Sequence, residues 1–153
     1  MRLNRLLQLL RGKPANRPAE APPAPFVPAG EPRLRLDRLD LQEAVIHHLE
    51  WCMQFNDYLG QVRPGEPPLV RTLPGADDSE LGSWLQSART RAPGQHPQFE
   101  DLVQAHLHFH ELAEEVIQLA TEDRMDLAST LLNTDFERAR MRILSLLRDM
   151  QKG

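Results

Sequence analysis

His106 and His110 stand four residues apart in the stretch Gln104-Ala105-His106-Leu107-His108-Phe109-His110. On a helix that spacing puts both imidazoles on one face. The same face carries Phe99, Leu102, Val103, Ala113 and Ile117, so the two rings point into apolar surroundings. His48 occupies an equivalent place upstream, on a stripe of Leu41, Ala44, Val45, Cys52, Phe55 and Leu59. Imidazole binds zinc, and also copper, nickel and iron; a pair at i, i+4 supplies two donors from one helix face. A third donor from a facing helix, His48, would fill three corners of a zinc tetrahedron. The plainer alternative is three core histidines bonded to carbonyls or carboxylates. The other histidines fit less well. His47 points roughly 100° away from His48, at the rim beside Trp51, and His108 points to the side opposite His106 and His110. His96 lies in a loop before Pro97 and is expected to be solvated.

The elements that must position these rings follow from the apolar periodicity. A helix is expected over Arg33 to Gln61, with Asp37 or Asp40 as its cap and Gly60 where a C′ glycine would end it. Val62 to Ala76 holds four prolines and two glycines and reads as a loop. Asp77, three before Glu80, looks like a capping box for a short helix over Asp77 to Ala88, with Leu81, Trp84 and Leu85 inward. Arg89 to Pro97 is loop again, with Pro93-Gly94 as a turn. Gln98 to Thr121 is the long central helix, Glu122-Asp123-Arg124 interrupts the pattern, and Met125 to Met150 is the last helix. Its stripe is Leu127, Leu131, Ala139, Ile143, Leu146 and Met150. No segment alternates with period two for long enough to form a strand. The fold class is all-α: three long helices and one short one in a four-helix-type bundle over residues 34–150, with a frayed end over 151–153.

Two segments precede the bundle. Residues 1–13, MRLNRLLQLLRGK, place Leu3, Leu6, Leu7 and Leu10 at helical spacing among arginines. This short amphipathic helix is suited to weak contact with an anionic membrane surface or to a partner helix; its apolar part is too short for a secretory signal. Residues 14–33 are a Pro/Ala-rich linker that holds seven of the 13 prolines.

Composition narrows the function classes. The chain has 153 residues, enough for one domain with a core. A net charge of −4 with no basic stripe gives no reason to expect a nucleic-acid partner. The single cysteine, Cys52, excludes an internal disulfide and any CxxC motif, which fits a cytoplasmic location. No apolar run approaches the ~18 residues of a membrane span. Gly60, Gly65 and Gly75 sit in turns rather than in a phosphate loop.

Three blocks, in order, resemble the chemoreceptor zinc-binding domain, a helical-bundle module of bacterial signalling proteins. They are Ala44-Val45-Ile46-His47-His48-Leu49-Glu50-Trp51, Ser79-Glu80-Leu81-Gly82-Ser83-Trp84, similar to the family's Cys-x-Leu-Gly-x-Trp, and His106-Leu107-His108-Phe109-His110, similar to its His-x-x-Phe-His. The resemblance covers about Asp37 to Met150. It implies a Zn2+ site made by His48, His106 and His110, in a non-enzymatic sensory module that acts as a homodimer beside, or here in trans upon, a signalling partner.

The family's cysteine ligand is replaced by Ser79, whose hydroxyl is a poor zinc donor at neutral pH. The fourth position then falls to Asp78 first, or to Asp77, Glu80, Cys52, water or nothing. Against each stands a plainer role: helix capping for Asp77 and Asp78, and a small buried hydrophobe for Cys52. Redox sensing through a zinc-bound thiolate is not expected. Zinc affinity should lie below that of a four-ligand site and fall between pH 7.5 and 5, because imidazoles bind metal only when neutral. Two other readings stay open: a degenerate, metal-free interaction module, and a three-His zinc hydrolase or hydratase, for which no general base or substrate loop is evident.

Overall fold

The computed structural model describes residues 30–66 and 73–152, with side chains from residue 37 onward. The expected helix over 1–13 and most of the linker lie outside the described residues. Residues Leu36–Gly153 form one compact unit, which contains all three histidines of interest.

Helix α1 spans Gly30–Gln61. It begins before the expected start and contains both Gly60 and the two candidate caps. Its buried face is Leu41, Ala44, His48, Trp51 and Phe55, a 3.6-residue repeat that points one stripe into the core. Asp40 is no cap. It accepts from Trp84 Nε1 at 2.8 Å and from the Arg91 guanidinium at 3.1 and 3.2 Å, tying α1 to the segment after it.

Helix α2 is Glu80–Ala88. Ser79, not Asp77, is its N-cap: Oγ accepts from the Gly82 N–H at 2.9 Å, satisfying one of the donors that a helix start leaves open. Asp77 lies two residues ahead of this cap and is exposed. Gly82 is required here, since a Cβ would stand 1.9 Å from the Ala76 carbonyl oxygen. A 3-10 turn, Ala92–Gln95, leads into helix α3, Phe99–Thr121. The loop histidine His96 is half-buried rather than solvated, and its Nδ1 accepts from the Gln98 N–H at 3.1 Å at the entry to α3.

After α3 the chain turns at Glu122-Asp123-Arg124, where Asp123 adopts φ 59°. Helix α4, Met125–Leu131, a π-helical turn, Leu132–Phe136, and helix α5, Glu137–Lys152, form one continuous last helix. From Ala139 to Met150 the expected stripe is buried. Upstream, Leu127 is exposed at 41% while the neighbouring Ala128 is buried, and Phe136 turns inward. Size misleads there: the small alanine, not the leucine, faces the close-packed α3.

With the last helix counted once, the described residues form four helices and contain no strand. The class is the expected all-α bundle. Among the described residues no helix is long and apolar enough to cross a membrane. The core centres on aromatic rings from three helices. Phe55 stacks on Phe136 at 4.9 Å, Phe136 lies 5.0 Å from Phe109, and Trp51 stacks on Phe55 at 5.3 Å. Such pairs add about 0.5–1.5 kcal/mol each beyond the area they bury. This cluster forms the floor under the histidines.

Candidate metal centre

Helix α1 brings His48 into the core at 1% exposure, and α3 brings His106 at 3% and His110 at 8%. The rings of His106 and His110 lie edge to face at 4.6 Å, as an i, i+4 pair should. Phe109 links the two helices, 5.0 Å from His48 and 5.6 Å from His110, and Trp51 of α1 closes on His110 at 4.5 Å. The three histidines are thus gathered from two helices into one buried neighbourhood.

Burial decides their protonation. Loss of solvent pushes each ring from the usual 6.5 down to about 4. Mutual repulsion adds to this: His106 disfavours charge on His48, His110 does so on His106, and His48 does so on His110. Asp77 pulls the other way on His106, and the bond to the Arg140 backbone does so on His48. All three are neutral at pH 7, the form in which imidazole binds a metal.

Their hydrogen-bond partners differ. His48 Nε2 donates to the Arg140 carbonyl of α5 at 3.2 Å. His106 Nε2 lies 3.4 Å from Ser79 Oγ, which is itself buried at 1% exposure. Two donors on one zinc at about 2.0–2.1 Å stand roughly 3.3–3.4 Å apart at tetrahedral angles. The Ser79 hydroxyl therefore occupies a place beside His106 where a fourth donor fits in distance. In chemistry it fits poorly. It donates to the Ala76 carbonyl at 3.2 Å and caps α2, and an alkoxide would surrender that donation.

The other fourth-position candidates are scattered. Asp78, Asp77 and Glu80 are all exposed. Cys52 is half-buried with Sγ 3.9 Å from His48 Nε2, on the side of α1 that meets Arg140 and Glu137, and burial pushes its thiol up to about 11. Among the described residues no three His, Cys, Asp or Glu side chains stand as a ready-made metal-holding group. His48 presents Nε2 to the Arg140 carbonyl of α5. The donor types, neutrality and burial of the three rings fit zinc.

The remaining histidines stay outside. His47 is half-buried in a cleft beside Glu80 and Ser83 of α2, with Nε2 3.4 Å from Glu43, and exposed His108 lies 3.9 Å from Glu111. The residue that sequence reasoning missed is Arg140, because its contribution is a backbone carbonyl, which no side-chain pattern announces. Compared with known proteins, the chain matches no family model, no curated protein and no solved structure.

Proposed function

We propose that the chain is a non-enzymatic, zinc-binding regulatory module, with His48, His106 and His110 as its ligands. The observation that carries this reading is the burial of three neutral imidazoles from two helices in one place. Buried imidazoles give the fold less than leucine or phenylalanine would, so a ligand role accounts for them better than packing does. Zinc held there would supply a cross-link between α1 and α3. The residues around it set the response: Phe109 and Trp51 exclude water from the rings, and Ser79 keeps the α2 start beside His106. Asp78 stays a candidate fourth donor only through movement of the turn before Ser79; water serves equally well.

The module acts as a homodimer in this proposal. The outward face of α1 carries Leu39, Ile46, Leu49 and Met53, each between 41% and 68% exposed. Their steps of seven, three and four are those of a coiled-coil seam, opposite the core face, so a second copy can bury them by pairing α1 with α1. A signalling protein in the cytoplasm is the partner in trans.

One observation favours a second reading, a metal-free interaction module. His48 Nε2 already has a protein acceptor, as a core histidine would. Thermal unfolding of the full chain with and without one equivalent of zinc separates the two. Stabilisation that disappears in His110→Ala supports the zinc reading. Identical curves for the wild-type chain support the metal-free one.

A further inference from the structure

Resting on the zinc reading above, we infer that the Arg140 peptide carbonyl is a positioning group for the metal centre: it fixes the tautomer of His48 and leaves Nδ1 as the atom that binds. A carbonyl oxygen only accepts, so at 3.2 Å from Nε2 it requires the proton to be on Nε2. A neutral imidazole has one N–H, and with Nε2 protonated the lone pair is on Nδ1. Metal-bound histidines commonly donate their second ring nitrogen to a carbonyl in this way, which orients the ring and raises the basicity of the ligating atom.

The carbonyl is held in place. The Arg140 side chain is clamped to Glu137 one turn earlier, with Nε to Oε2 at 2.8 Å and a second nitrogen to Oε1 at 2.6 Å. Phe136, at the end of the π-helical turn, stacks on Phe55 of α1. The last helix is thereby anchored to α1 about one turn before the His48 contact. The centre consequently involves three helices: α1 and α3 give rings, and α5 gives the group that aims one of them. The state of the site is felt in α5, although α5 contributes no ligand.

The test is nitrogen NMR on full-length protein with 15N-labelled histidine, the His48 ring assigned by its loss in His48→Gln. Zinc-free protein at pH 7.5 should show His48 as the Nε2–H tautomer, unlike a solvated ring, which averages both. One equivalent of zinc should shift the Nδ1 resonance of His48 and leave its Nε2 proton in place. A zinc-free Nδ1–H tautomer, or zinc displacing the Nε2 proton, would overturn the inference while leaving zinc binding intact. Spectra of all six histidines indifferent to zinc would overturn the zinc reading, and this inference with it. Glu137→Ala supplies a second variant that leaves every ligand present. It should increase exchange of the His48 Nε2 proton without abolishing the zinc-induced shift, and unchanged exchange would remove the clamp from the account.

Discussion

The hydroxyl of Ser79 lies 3.4 Å from Nε2 of His106, across 27 positions of sequence. That one relationship joins the start of α2 to the middle of α3. It also places an oxygen beside a proposed zinc ligand. Ser79→Cys should therefore raise zinc affinity about tenfold or more, because a thiolate forms on metal binding far more readily than an alkoxide. Competition against a zinc-binding dye measures the gain. Equal affinity in serine and cysteine forms would separate this position from the centre.

Ser79 also has a purely structural duty. Ser79→Ala removes the acceptor for the Gly82 N–H and should cost about 1 kcal/mol, with a larger loss if no water replaces the cap. Gly82→Ala should cost more, ~1–3 kcal/mol, since the new methyl meets a backbone carbonyl that cannot swing aside. Urea unfolding of both variants gives the order; a stable Gly82→Ala would contradict the close approach of α2 to Ala76.

The burial of the histidines sets a pH signature. In the folded chain the rings stay neutral down to about pH 4, whereas unfolded histidine takes a proton near 6.5. Between those values the unfolded chain holds more protons, so stability falls as pH drops from about 6.5 towards 4. One such ring contributes on the order of 3 kcal/mol over that range, and the three are coupled, so their contributions do not simply add. A urea midpoint steady from pH 8 to 7 and declining below 6.5 is the expected curve. Protons compete with zinc for the same three rings, so zinc affinity should fall as the pH drops.

The outer face of α1 makes a separate prediction. Ile46→Glu with Met53→Glu should convert a dimer to a monomer in light scattering, with helix content kept, because both side chains are exposed in the single chain. A wild-type chain that is monomeric at all concentrations would remove the homodimer from the proposal.

Much of this arrangement was readable from residue types. The His48, Leu41 and Phe55 stripe and the His106, His110 and Leu102 stripe are long, strongly periodic and buried as expected. What escaped lies where pattern carries no signal. The spacing of Asp77 to Glu80 mimics a capping box, yet it is Ser79 whose hydroxyl reaches the Gly82 N–H. The π-helical turn Leu132–Phe136 leaves no mark on a hydrophobic repeat, and a backbone carbonyl such as that of Arg140 cannot be read from any side chain.

The central claim is that His48, His106 and His110 hold one metal ion. It is met most directly by metal analysis and zinc titration of the purified full chain, without a histidine tag, beside His106→Ala. The account predicts one zinc per chain, lost in the variant, while the variant keeps its helical content. No bound metal and no heat of zinc binding in the wild-type chain would contradict it and leave three neutral core histidines as the whole of the site.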